Sequence, residues 1–304
     1  MHNIYSDKRQ DIWYIKKGVF TNITVNEKIF WETAVNSRRS VRSFERKAVD
    51  QETLETLKYF VKTTEIPFPH SVKTVFFKTR ENKRLANNLK YPPTDAVAFI
   101  TRTNSIKDIS AVGFIGELLI LYAQGLGIST CWFGHYILDE IERVVPQIDI
   151  VKEKRTQFGY GIGSIDGFHA VCISPLGYFK SDGIRLLDRI TSTTMSFKRK
   201  PLNELLLNTQ EALIPETIKF ALDLARKAPS AANTQHWMYE VHPDAKTIKI
   251  MRRDNFKHFR WEHDEVDIGI CAAHFWIGLL IQNIKCEISR IEKSNMIIWE
   301  FKIL

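Results

Sequence analysis

The chain has 304 residues, 44% hydrophobic, 12% aromatic and 26% charged, with 43 Lys and Arg against 35 Asp and Glu for a net charge of +8. That composition excludes a disordered chain, a collagen-like fibre and a disulfide-rich miniature scaffold, and the length allows one large domain or two of medium size. The modest basic excess suits an anionic ligand such as a phosphate without demanding nucleic acid.

Residues 1–29 read as an extension of mixed character, charged throughout and unlike a signal peptide. Ile29–Val35 has a helical pattern and runs into a basic cluster, Arg38-Arg39-Ser40-Val41-Arg42-Ser43-Phe44. A second helix is expected over Gln51–Lys62, with Asp50 as N-cap and Leu54, Leu57 and Val61 at helical spacing. Val72–Lys78 and Ala96–Thr101 read as strands, rich in β-branched and aromatic residues. Ile109–Gln124 is an apolar helix expected to be buried nearly all round and to end at Gly125 and Gly127. Ala170–Ser174 is a third strand. The polar stretch Ser181–Ser196 reads as a linker, after which the pattern restarts. Ile214–Lys227 is an amphipathic helix. Met238–Val241 and Thr247–Met251 form a strand pair around Pro243-Asp244, Ile268–Asn283 is a second apolar helix, and Met296–Phe301 is a closing strand.

The restart is a repeat. Glu55-Thr56-Leu57-Lys58-Tyr59 aligns with Glu216-Thr217-Ile218-Lys219-Phe220, an offset of 161 residues. Each segment runs on to a proline, Pro67 or Pro229. An aromatic-rich strand follows, and later a buried helix with an aspartate near its start, Asp108 or Asp267. This implies two diverged copies of one α+β unit. The expected division is an extension (1–29), a first half (30–182), a linker (183–196) and a second half (197–304).

The four cysteines, Cys131, Cys172, Cys271 and Cys286, form no CxxC pair and suit a reduced compartment. Cys131 has no basic neighbour in sequence and reads as an inert buried thiol. His135, His263 and His274 lack metal-ligand spacing, and His274 reads as a hydrogen-bonded core histidine. The apolar runs Ala111–Ala123 and Ile268–Ile281 are shorter than the about 20 residues of a membrane span. A soluble cytoplasmic protein is expected, with no membrane partner. The basic stretches at Lys152–Arg155 and Met251–Lys257 read as solvated surface, and no nucleic-acid motif accompanies them.

Three strings carry chemistry. In Arg38-Arg39-Ser40-Val41-Arg42, three guanidiniums and a hydroxyl in five residues match phosphate oxygens. In Ala228-Pro229-Ser230-Ala231-Ala232-Asn233-Thr234-Gln235-His236-Trp237, small side chains let a flat ligand approach the backbone, and Asn and Gln offer donor–acceptor pairs. In Gly125-Leu126-Gly127-Ile128-Ser129-Thr130-Cys131-Trp132-Phe133-Gly134, backbone N–H groups after a helix can face a ligand.

Together these strings resemble the FMN-dependent nitroreductase family, over roughly residues 30–304. RRSVRSF resembles its phosphate-binding motif. APSAANTQHW resembles its flavin-covering loop, APSxxNxQPW, with His236 in place of the usual proline. GLGISTCWFG resembles the segment after its central helix, and Ser174–Lys180 its late strand. The fold implied is α+β and nitroreductase-like, with two halves related by a pseudo-two-fold axis.

The first half carries Glu65-Ile66-Pro67-Phe68-Pro69 where its own APS loop would stand. The second carries only Phe197-Lys198-Arg199-Lys200 where its arginine motif would stand. The resemblance is therefore to a subgroup in which two fused halves make a pseudo-dimer, with one FMN site per chain and no obligate homodimer. It implies Arg38 and Ser40 at the phosphate or ribityl chain, and Arg42 at the N1/C2 carbonyl edge. Arg39 lies in the same motif, where it can bind or point outward. It further implies Pro229, Ser230, Ala231, Asn233 and Gln235 against the ring. The Gly134 N–H would face flavin N5, flanked by Trp132 and Phe133, with Arg199 as a late phosphate contact and Lys198 as second choice.

No catalytic side chain or metal is implied, because the flavin carries the redox chemistry. The activity implied is hydride transfer from NAD(P)H through flavin N5 to a small acceptor such as a nitroaromatic or quinone, in ping-pong fashion. The alternative is a redox-responsive FMN-binding protein without turnover.

Overall fold

The computed structural model describes residues 24–86, 88–89, 91–102, 105–137, 140, 164–165, 168–180, 198–257, 261 and 263–304. The first 23 residues and the expected linker lie outside that set, as does the basic stretch at 152–155. Helix α1, Val25–Ser37, starts four residues before the expected Ile29, because Thr24 and Glu27 close a capping box around its first turn. Helix α2, Gln51–Thr63, is capped by the Asp50 side chain on the Thr53 N–H. Strands β1, Lys73–Lys78, and β2, Asp95–Thr101, lead into helix α3, Ile106–Gly125. Short β3, Ser129–Thr130, and β4, Ser164–Ile165, precede β5, Phe168–Gly177.

The second half starts with short β6, Leu206–Leu207, and helix α4, Glu216–Ala225. Strands β7, Trp237–Val241, and β8, Thr247–Arg252, follow. Helix α5, Glu265–Ile281, and strands β9, Cys286–Lys293, and β10, Met296–Ile303, complete the chain. Strand β9 was not expected from sequence. Its Glu287, Arg290, Glu292 and Lys293 dilute the apolar signal, because it is an edge strand with a wet face.

The two sheets share one strand order. The first runs β1-β2-β5-β3 with β4 beside β5, and the second β7-β8-β10-β9 with β6 beside β7. In each, a hairpin, a central helix and a returning pair of strands occupy equivalent places. The repeat inferred from α2 and α4 therefore extends through the whole unit.

The halves meet where α3 crosses α5. Gly113 lies against the Val266 carbonyl and the Ile270 nitrogen, and Gly269 against the Ser110 carbonyl and the Phe114 nitrogen. Each pair is related by the same 156-residue step, so the crossing is the pseudo-two-fold axis. A Cβ on either glycine would overlap the facing carbonyl oxygen. Helix α3 is apolar nearly all round and its middle is buried throughout, as expected. The largest core cluster spans both halves, and a smaller one fills the other face of the first sheet. No helix among the described residues is long and apolar enough to cross a membrane.

Candidate functional site

Between the halves lies a cleft of about 320 Å³. The first half lines it with Ser40, Arg42, Trp132, Gly134 and Cys172, and the second with Pro229, Ser230, Ala231, Trp261 and Asp267.

The arginine segment is fixed by strand-like pairing. The Val41 N–H donates to the Thr130 carbonyl at 2.8 Å, and Ser40 bridges Thr130. Along an extended backbone, alternate side chains point to opposite sides. Ser40 and Arg42 line the cleft, while Val41 enters the smaller core. Arg39 lies on the exposed surface with its guanidinium over Phe179. The same alternation governs the segment after β3. Trp132 and Gly134 line the cleft, while Cys131 and Phe133 are buried in the smaller core. Within these two segments Arg39 and Phe133 face away from the cleft, and parity is the reason.

Arg38 caps the C-terminus of α1 and its side chain is only 4% exposed. Its Nε is 3.8 Å from Glu117, its Nη1 is buried with no hydrogen-bond partner, and the same holds for Nε of Arg42. Arg199 donates to Asn233 and lies close enough to Arg38 for their charges to oppose each other. Burial first, and the Arg38 charge second, push the Arg199 guanidinium down to about 10. A buried guanidinium with an unused donor, repelled by a partly buried neighbour, is the arrangement an anion relieves.

The APS loop supplies the facing wall and is strained. Ala232, Asn233 and Gln235 have φ of 51°, 55° and 46°, a region that non-glycine residues rarely occupy. Hydrogen bonds hold it there. The Ala231 N–H donates to Asp267 Oδ2 at 2.9 Å, and the Gln235 N–H to Ser230 Oγ at 2.9 Å. Gln235 is buried and does not line the cleft. Its Oε1 accepts the Lys200 N–H at 2.8 Å and its Nε2 donates to the Lys198 carbonyl at 3.0 Å, so it fastens the segment that carries Arg199.

Glu117, Trp261 and Asp267 went unread as site residues in the sequence. Glu117 is fully buried in α3, accepting from Trp132 Nε1 at 2.7 Å and lying 2.8 Å from His274 Nε2. His274 also donates Nδ1–H to the Leu224 carbonyl at 3.2 Å, the core role expected of it. Asp267 is pushed well above the usual carboxylate range by burial, against the pull of the Ala231 N–H. Cys172, at the cleft wall, is pushed up by burial and by Asp267, which leaves it an unreactive thiol. The described residues contain no cluster of metal-ligating side chains.

A family model described as "Putative TM nitroreductase" matches residues 32–151 and 154–279. The chain belongs to this nitroreductase family. A Thermotoga maritima protein described as a "putative nitroreductase" is similar over 90% of this chain and 93% of its own, with 16% identity and a TM-score of 0.54. An FMN-dependent nitroreductase from Clostridium difficile matches 59% of this chain and 99% of its own, with 14% identity and a TM-score of 0.39. No curated protein matches the sequence.

In this nitroreductase the cleft wall carries small residues, Ser230, Gly134 and Cys172. Elsewhere Phe68 and Phe114 of the first half meet Trp299 on β10 of the second, with Arg290 opposite Trp299 on β9. Phe114 stacks on Trp299 at 5.0 Å, Phe68 packs edge-on against both, and Arg290 lies 4.3 Å over Phe68. The Arg290 guanidinium also donates to the Lys107 and Pro69 carbonyls.

Proposed function

We propose that this chain binds one FMN in the cleft between its halves and uses it to oxidise NAD(P)H and reduce a small acceptor such as a nitroaromatic or quinone. The observation that carries the reading is the set of unpaired guanidinium donors in the arginine segment, whose Ser40 and Arg42 line the cleft. Arg38 Nη1 and Arg42 Nε are buried without partners, and Arg199 stands beside Arg38. These residues fit the group. Arg38 and Arg199 would hold the phosphate, Ser40 the ribityl chain and Arg42 the N1/C2 edge. Pro229, Ser230 and Ala231 would lie against the ring, with the Gly134 N–H toward N5. The chemistry supplied by bound FMN is two-electron transfer, hydride being taken up from NAD(P)H and passed on in a ping-pong cycle.

The protein's own part is binding and charge. Arg42 opposes negative charge that builds at the edge it faces, in a partly enclosed site where such interactions are strong. Glu117 offsets part of the Arg38 and Arg199 charge before a phosphate arrives. Asp267 holds the strained loop by its Ala231 bond. The working unit is one chain, a monomer of two halves (30–182 and 197–304) acting in the cytoplasm, because the parts assigned to the ligand come from both halves.

Anaerobic titration of the FMN-loaded protein with NADH and with NADPH tests this. Loss of the oxidised flavin band, and its return on adding a quinone, is expected. A flavin band that neither nucleotide bleaches would overturn the enzymatic reading in favour of a redox-responsive binding protein.

A further inference from the structure

Trp261 belongs to none of the motifs. It enters the cleft from the connection between β8 and α5, in the second half, and lies against the backbone of Gly134 in the first. A Cβ on Gly134 would overlap the indole at Cε2 and Nε1. Trp261 Nε1 is buried and has no hydrogen-bond partner among the described residues. A buried donor without an acceptor costs about 1–3 kcal/mol; the core residues Trp237 and Trp299 carry the same unpaired donor, and Trp261 is the one of the three that lines the cleft. The other indole of the cleft differs. Trp132 gives its Nε1–H to Glu117 at 2.7 Å and serves as a fixed wall. Of two indoles lining one cleft, one has its donor committed to the core and the other does not. Trp261 as a whole is partly buried.

We propose that Trp261 is a specificity-determining residue for the electron acceptor. Its indole face stacks on a flat ring, and its Nε1–H donates to an oxygen carried by that ring. Indole suits this double role, with a large apolar face and one polar edge. The cleft then favours planar aromatic acceptors that bear oxygen over compact or non-planar ones. The proposal rests on the flavin oxidoreductase reading above.

The test compares Trp261→Phe, which keeps a ring and loses the donor, with Trp261→Ala, which loses both. The probes are 4-nitrobenzoate, which is flat and oxygen-bearing, and ferricyanide, which has no ring to stack. In the FMN-loaded oxidised protein, calorimetry is expected to show 4-nitrobenzoate binding weakened about tenfold in W261F and about a hundredfold in W261A. The KM for 4-nitrobenzoate is expected to rise in parallel. FMN affinity and the rate of ferricyanide reduction should fall by less than 4-nitrobenzoate affinity does. Unchanged 4-nitrobenzoate binding would overturn the proposal, as would equal losses toward both acceptors. A matching loss of FMN affinity would also overturn it, by making Trp261 part of the cofactor's own site. If the wild-type protein binds no FMN, the flavin reading falls first and this proposal with it. A wild type that loads FMN and is bleached by nucleotide, with variants that keep their 4-nitrobenzoate affinity, sinks the Trp261 proposal alone.

Discussion

At the residue scale the cleft is governed by where charge is buried. Arg38, with a donor to spare, is brought beside Arg199, and a phosphate would join them. Arg38→Ala and Arg199→Ala should each weaken FMN by roughly tenfold to a hundredfold, from the about 1.5–3 kcal/mol of hydrogen bonds to charged groups. Riboflavin, which lacks the phosphate, should bind wild type and variants alike. Fluorescence titration with both flavins measures this. Loss of riboflavin binding in step with FMN would mean that the variants damage the cleft rather than a phosphate subsite.

Glu265, at the start of α5, gives a second residue-scale prediction. Burial pushes its carboxyl from 4.5 up to about 8, against the opposing charge of Arg252 and with some help from Asp264. The folded protein keeps this proton over a range in which the unfolded chain has lost it. Stability should therefore fall as pH rises from about 4.5 to about 8, with a slope approaching about 1.4 kcal/mol per pH unit, and then level off. Asp267, raised in the same direction, adds to the trend. Urea denaturation across this range should show a shallower slope in Glu265→Gln. An identical slope in the variant would remove Glu265 from the explanation.

At the scale of elements, the α3–α5 crossing sets the distance between the halves and hence the width of the cleft. Gly113→Ala and Gly269→Ala each put a Cβ onto a backbone carbonyl of the other helix. Each should cost about 1–3 kcal/mol, the range for overpacked cores. The double variant should cost less than the sum, because the helices need to separate only once. Strict additivity in the urea midpoints would argue that the two contacts are independent. The strained APS loop makes a matching prediction. Gln235→Ala releases the 198–200 segment from the loop, so Arg199 loses its anchor, and FMN affinity should fall while riboflavin affinity falls less. Equal losses for the two flavins would assign Gln235 to loop shape alone.

The elements also show what the sequence made legible. Helices α3 and α5 and the hairpin β7–β8 were readable because long apolar runs and a turn signal are local properties. Helix α1 carried its capping box in plain sight at Thr24 and Glu27, but few apolar positions followed to draw attention to it. Strand β9 hid behind its charges. In the site, the arginine string and the APS string were legible as strings, yet their orientation was not. Whether Arg39 or Arg42 faces the cleft depends on the bridge between Ser40 and Thr130, a contact between segments about 90 residues apart. Trp261 gave no local signal, since its place in the cleft arises only when the halves dock, whereas Glu117 is the one charge that breaks the apolar run Ala111–Ala123.

At the scale of the whole molecule, duplication has produced a chain that is symmetric in its frame and asymmetric in its cavities. Both sheets keep one strand order, and the crossing keeps one 156-residue step. Ser230, Gly134 and Cys172 line the cleft. Phe68, Arg290 and Trp299 pack together, and the Arg290 guanidinium ties the second sheet to the Pro69 and Lys107 carbonyls of the first half. One set of motifs split between the halves is the ground for expecting one site. The most direct measurement is the amount of FMN bound per chain at saturation, read from the flavin absorbance of the gel-filtered protein against its peptide concentration. The account predicts one FMN per chain, lost in Arg38→Ala at limiting FMN. Two FMN per chain would contradict the single set of motifs split between the halves, and a chain that takes up no FMN would contradict the assignment of the cleft itself.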